Sequence, residues 1–419
     1  MKFQSWKNWL MALAALCGLP QAAHAQLERY NPHFDLQLRL ADSTLTRARN
    51  FCDTIPIEVE DNQIFINVSM DGQQRRFLLD TGSSQGMVFQ ASAIDNLNLL
   101  GNIVSRDANY HVDTVSVVQL PPFSMGRLTI SGYVASLMPR AAISNKFDAI
   151  IGFDLFNRGL CGKIDTQQKI LILTDQKKFF RNEEKAGVRV KYKLKWFVPY
   201  VYVSPFVRHT DEVLFDTGFN QLFTMNRESL AQHIADDLSR LNKNLGADIE
   251  RQIEGRSEGQ MSIGGFGTEQ KAEVAFLHLD RLTWGNFHLT DLHAITTEGA
   301  SKIGAPLLDH GAVIINPFKK TITLCPYAKG ATSATVGNKQ FSVAFVPHGM
   351  QAAVGLIFDQ SEPYKAGMRQ GDVVLQIDGR PIITFGDFTR FRFIKGEAHR
   401  FRLRDSNGLE KIVVCEMGY

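Results

Sequence analysis

Residues 77–89 read FLLDTGSSQGMVF, and two kinds of catalytic chemistry overlap in them. Asp80 heads the tripeptide D-T-G, a carboxyl group on a tight glycine turn that could take a proton from water or give one to a carbonyl. Ser84 stands at the centre of G-x-S-x-G, from Gly82 to Gly86, the spacing of a turn that exposes a serine nucleophile between a strand and a helix. Both readings need an apolar strand just before the turn, and FLL supplies it.

An internal repeat separates them. The run QIFINVSMDGQQRRFLLDTGSSQGMVF has a partner in YVYVSPFVRHTDEVLFDTGFNQLFTM. Each gives an alternating strand, a polar turn, a second apolar strand, D-T-G and a hydrophobic segment. Downstream, AIIGFDLFNRGLCGKIDTQQKILIL is similar to SKIGAPLLDHGAVIINPFKKTITL, with a glycine after an apolar residue, a strand ending in Asp165 or Asn316, and a last alternating strand. The second copy keeps Asp216, Thr217 and Gly218 but continues with Phe219, so the aspartate loop is duplicated and the serine pattern is not. A serine elbow would also need helices alternating with the strands around it. Chance produces D-T-G in roughly one chain in ten of this length, and twice on the order of one in two hundred, so a mere turn is a poor account of the pair. Asp216 to Gly304 spans 88 residues against 72 from Asp80 to Gly152, and a helix capped by Asn226 with Leu230, Ile234, Leu238 and Leu241 on one face fits the difference.

FLLDTGSS, VLFDTGFN and the paired IIG and KIG segments resemble the retropepsin-like and pepsin-like aspartic proteases over about residues 56 to 326. The resemblance implies a mainly β, two-lobed, pseudo-twofold fold with one catalytic carboxyl per lobe, Asp80 and Asp216, and no metal or organic cofactor. Both loops lie in one chain, so the active site is complete in a monomer. It also implies that Thr81 and Thr217 exchange hydrogen bonds between lobes, that Gly82 and Gly218 allow the turn, and that Ser83 donates to Asp80. Phe219 has no hydroxyl to match Ser83; on that ground Asp216 is expected to be the partner that holds the proton. Lys302 is a second departure, in a place usually apolar. Such enzymes close a hairpin flap over a peptide or protein substrate. The candidates are SRDANYHV with Tyr110, and GQMSIGGFGTEQ with Gly264 and Gly265.

From about Phe341 the chain resembles the PDZ domains attached to bacterial proteases, through Ala366-Gly367-Met368, Gly371-Asp372 and Ile377-Asp378-Gly379. An α+β domain over residues 340–419 follows, with Val354, Gly355, Leu356 and Ile357 as the candidate capture loop and edge strand for a C-terminal peptide ligand. The alternative is a domain that only packs against the lobes, with phenylalanines of FGDFTRFRFI buried there.

Residues 1–25 have Lys2 and Lys7, an apolar run, and Ala23-His24-Ala25 before Gln26, the pattern of a secretory signal peptide. Leu16 argues against lipidation at Cys17, since a lipidated cysteine needs a small residue before it. The chain is expected to be exported, periplasmic or secreted, without a transmembrane segment. Removing the two leader lysines takes the formal charge of +3 to +1, which disfavours a nucleic-acid partner. The 11 histidines are scattered, and His288 with His293 lacks helical metal spacing, so no metal site is expected. Cys52, Cys161, Cys325 and Cys415 admit three disulfide pairings. The remaining expectations are an arm or propeptide at 26–55, lobes at 56–176 and 196–330, and a linker at 177–195. Peptide-bond hydrolysis is the leading function; a noncatalytic peptide binder on the same fold and a PDZ-led scaffold are the alternatives.

Overall fold

The computed structural model describes residues 46, 48–92, 94–107, 109–138, 146–239, 246–261, 263–264, 267–394 and 396–417. The expected signal peptide at 1–25, most of the expected arm, Leu241 and the flap candidate Gly265 lie outside the described residues. The chain is mainly β.

Each repeat folds as a β unit in which the strand leading to D-T-G is backed by a short parallel strand. In the first, Gln73–Leu79 pairs with Ala149–Ile151; in the second, His209–Asp216 pairs with Lys302–Gly304, placing Asp216 opposite Gly304. These backing strands are the matched IIG and KIG segments, buried apart from Lys302, which is half-buried. Their glycines are needed for close approach. A Cβ on Gly152 would lie 2.6 Å from Gln85 O, and one on Gly304 2.1 Å from Gln221 O. The chain turning away from each D-T-G is held alike: Phe153 N–H donates to Ser83 O at 2.8 Å, and Ala305 N–H to Phe219 O at 3.0 Å.

A shared sheet joins the units beneath the loops. Its order is Cys52–Glu60, Ile170–Thr174, Cys161–Asp165, Gly311–Asn316, Thr321–Pro326 and Val188–Lys195. The junction is antiparallel, with Ile164 opposite Val313. Asp165 and Asn316 end equivalent strands and each accepts a backbone N–H three residues on, from Gln168 at 2.9 Å and Lys319 at 3.2 Å. Two boundaries differ from expectation. The first unit's strand already starts at Cys52, inside the expected arm. The expected linker forms a short helix, Arg181–Ala186, and then Val188–Lys195, whose strand closes the shared sheet. The insertion in the second unit is the helix Arg227–Ser239, with Asn226 Oδ1 accepting from Ser229 N–H at 3.0 Å as its cap.

The C-terminal domain is a sheet of Val343–His348, Gln351–Ile357, Val373–Ile377, Ala398–Arg404 and Glu410–Glu416 with two short helices. It docks on the second unit through Val274, Phe276 and Ile295 against Leu356 and Phe358. The expectation for its phenylalanines is corrected: Phe385, Phe388, Phe391 and Phe393 pack inside their own domain, around Phe345 and Phe401. The four cysteines are free thiols. Among the described residues no helix is long and apolar enough to cross a membrane.

Gly304→Ala is expected to lower stability by about 1–3 kcal/mol, because the new methyl group overlaps backbone that cannot move aside cheaply. A urea midpoint unchanged from the parent chain would contradict this.

Candidate active site

The two loops interlock through their threonines. Thr81 Oγ1 accepts from Thr217 N–H at 3.0 Å and donates to Phe215 O at 2.7 Å; Thr217 Oγ1 accepts from Thr81 N–H at 3.0 Å and donates to Leu79 O at 2.7 Å. Both side chains are fully buried, so these bonds face no competition from water. A hydroxyl can donate and accept at one atom in this way, which explains why the position needs a hydroxyl-bearing side chain.

The grip sets the carboxyls. Asp80 Oδ1 accepts from Gly82 N–H at 2.8 Å and Asp216 Oδ1 from Gly218 N–H at 3.0 Å. Each carboxyl lies over the other loop's glycine: a Cβ on Gly82 would sit 2.4 Å from Asp216 Cγ, and one on Gly218 2.5 Å from Asp80 Cγ. Asp80 and Asp216 thereby face each other across the two loops. Burial pushes the Asp80 carboxyl well above the usual carboxylate range, and the charge of Asp216 and the hydrogen bond to it push the same way. The Gly82 N–H and the Lys302 ammonium oppose that rise without cancelling it.

Two expectations about these loops are corrected. Ser83 Oγ donates to Gln85 O at 2.6 Å, tying its own turn, rather than to Asp80. The missing hydroxyl at Phe219 therefore does not distinguish the carboxyls. What does is Lys302, whose Nζ lies 3.9 Å from Asp216 Oδ2 and 5.3 Å from the centre of the Phe219 ring. The two departures from the motif are partners: the ring replaces a hydroxyl and faces the cation. Asp80 is the carboxyl pushed above the ordinary range, and the Lys302 charge lies beside the other one, whereas the sequence expectation put the proton on Asp216.

A buried network that sequence reasoning missed braces the first loop from behind. Tyr133 Oη accepts from Gly152 N–H at 2.9 Å and donates to Asp154 Oδ1 at 2.8 Å. Burial raises the Asp154 carboxyl to about 6, with Arg158 opposing. Asp154 follows Gly152 in the matched segment, and that position was the one available signal.

The flap candidates meet each other. Tyr110 stands at the tip of the hairpin Asn98–Arg106 and Val112–Gln119, in the left-handed region at φ +66°. The Arg106 guanidinium lies over its ring at 4.6 Å and over Trp196 at 4.9 Å. From the same tip, Asn109 Nδ2 donates to Gly267 O at 3.2 Å, and a Cβ on Gly264 would lie 2.2 Å from Asp107 Oδ2. A hairpin of the first unit and the glycine-rich loop of the second thus touch.

The expected peptide-capture strand is not free. Val354, Gly355, Leu356 and Ile357 are buried in Gln351–Ile357, with Val343–His348 paired along one side. Gly355 O accepts from Gln260 N–H of the second unit at 3.0 Å and from Gln370 Nε2 at 2.8 Å. The edge is covered by the domain's own hairpin and by the docked unit, so no peptide can add there.

Residues 66–155 match the family model described as aspartyl protease. No curated protein matches the chain. Among solved structures, the aspartic proteinase from Irpex lacteus is similar at 13% identity and a TM-score of 0.42, over 68% of this chain and 100% of that one. Basic 7S globulin from soybean is similar at 9% identity and a TM-score of 0.38, over 65% of this chain and 94% of that one.

The raised Asp80 value has a consequence for stability. Unfolded, Asp80 loses its proton near pH 4, about the ordinary value for aspartate. Folded, it keeps the proton to higher pH, so the folded state binds more protons there and stability falls as pH rises towards the folded value. Asp80→Asn, uncharged throughout, is expected to melt above the parent at neutral pH, with the gap closing below about pH 4. A gap independent of pH would contradict the assignment.

Proposed function

We propose that the chain is an aspartic endopeptidase. The observation that carries the reading is the pair of carboxyls, Asp216 buried and Asp80 half-buried, each seated over the other loop's glycine. The aspartyl-protease match over residues 66–155 supports the first loop by sequence; the threonine grip extends the same chemistry to the second.

Water held by both carboxyls would lie at the mouth of the pair. Asp216, beside Lys302, takes a proton from that water as it attacks the peptide carbonyl, while Asp80 gives its proton to the carbonyl oxygen. The tetrahedral product then collapses with proton transfer to the departing amine, and the pair returns to holding one proton. Two close carboxyls share a proton over a range of pH for the same reason that they cannot both ionise cheaply. Asn109 and Tyr110 at the hairpin tip, with Gly264 and Gly267 opposite, would cover an extended substrate. The chain is proposed to act after export, on peptide or protein substrates. The C-terminal domain, PDZ-like in sequence, is proposed to brace the second unit, a role supported by its buried strand and the apolar cluster beneath it.

Hydrolysis of an unfolded protein is expected from the parent chain and to fall at least about a hundredfold in Asp80→Asn and in Asp216→Asn, the scale of a lost general acid or base. Undiminished cleavage in either variant, or none by the parent at any pH, would overturn the proposal. Lys302→Met removes a charge that favours ionisation, so both limbs of the kcat/KM profile should move to higher pH. A profile that stays in place would contradict the role given to Lys302.

A further inference from the structure

On the second unit, away from the aspartates, three strands bring together groups that no step of hydrolysis uses. His278 in Ala272–Trp284 and His293 in Phe287–Thr297 are direct cross-strand partners, and their rings stack with centres 4.1 Å apart. Glu254 sits on the neighbouring strand Ile253–Gly259, at the register shift between Ile253 and Gly255. A bulge of this kind adds a residue the partner strand does not match and re-aims its side chain. Here the result is a carboxylate beside both rings: Glu254 Oε1 is 3.4 Å from His278 Nδ1, and Oε2 is 3.3 Å from His293 Nδ1. One ligand atom from each of the three residues lies within 4.8 Å of the other two.

We propose that Glu254, His278 and His293 form a zinc site. Two imidazoles and a carboxylate are a donor set that suits zinc, which accepts three protein ligands and a water. With ordinary zinc–nitrogen and zinc–oxygen bonds, the edge of a tetrahedron is about 3.3–3.5 Å, and each ring nitrogen lies about that far from one oxygen of Glu254, a different oxygen for each ring. His278 also has the support such a ligand needs. Its Nε2 pairs with Asp291 Oδ1 at 2.8 Å, which leaves Nδ1 as the unprotonated nitrogen for a metal. His293 Nδ1 is buried and makes no well-aligned hydrogen bond, only the 3.3 Å approach to Glu254 Oε2. The site is accessible to an ion, because the His278 side chain is 41% exposed and that of Glu254 31%. Histidine spacing along the chain hid it: the ligands meet by sheet register, 15 residues apart, so the expectation of no metal site is revised here.

The position suggests what the ion does. Gln340 Nε2 donates to Glu254 Oε2, and Asn338 exchanges hydrogen bonds with the His293 backbone at 2.9 and 2.8 Å. Both belong to the connector that leads into the C-terminal domain. Zinc would pin the bulged strand to its sheet at the point where that connector crosses, and so stabilise the docking of the domain.

The test is calorimetric titration of zinc into the full chain after chelator treatment, with thermal melts. One zinc per chain should bind saturably and raise the melting temperature. Glu254→Gln, His278→Ala and His293→Ala should each weaken binding at least about tenfold. Asp291→Asn, which keeps every ligand, should weaken it about 10–100-fold, while His288→Ala on the same strand should leave it unchanged. X-ray absorption of the zinc-loaded parent should show two imidazole nitrogens, a readout that needs no variant to fold. No saturable binding, binding unmoved by His293→Ala, or a zinc shell without imidazole would overturn the proposal.

Discussion

Two carboxyl groups held face to face cannot both be ionised at modest cost, and the rest of this protein is arranged to hold Asp80 and Asp216 so, each over the other loop's glycine. The cost is met by geometry that leaves the pair no room to separate. Four hydrogen bonds through Thr81 and Thr217 fix the loops to each other. Gly152 and Gly304 let backing strands approach to distances that exclude a side chain. The shared sheet below resists rotation of one unit against the other. Charge that would otherwise repel is divided, with the proton favoured on Asp80 and a cation supplied to Asp216 by Lys302.

That division shows how a near-symmetric scaffold becomes chemically asymmetric. The loops are matched in their threonines, glycines and backbone bonds, so nothing in the repeat itself tells the two acids apart. Lys302 and Phe219 break the match on one side only, and they contact each other while doing so. Hydrolysis needs one carboxylate to take a proton from water and the other acid to assist the carbonyl; the single shared proton supplies that inequality, and Lys302 biases which acid holds it.

The duplicated D-T-G, its apolar flanks and the downstream glycines were readable from the chain because each reports a backbone demand that sequence cannot satisfy in many ways. The threonine grip followed from the same motif. What escaped were features set by side-chain direction and by strand register. The Ser83 hydroxyl turned inward to Gln85 O, a choice between two nearby acceptors that no spacing encodes. Lys302 looked like a flaw in an apolar segment until its partners were visible. The capture strand at Val354–Ile357 has the right composition for an edge but is covered by a hairpin whose pairing sequence pattern leaves open. The histidines at 278 and 293 are unremarkable along the chain and adjacent only across the sheet, and a bulge such as that at Glu254 has no periodic signal.

The account rests on a single proton held jointly by two acids, and its most direct measurement is a carbon-13 NMR titration of the Asp80 and Asp216 carboxyl carbons. The expected result is two well-separated steps belonging to the pair, with one proton retained to a pH well above the ordinary aspartate value of about 4. Loss of both protons together near that value would show that the carboxyls do not interact as described, and would contradict the account.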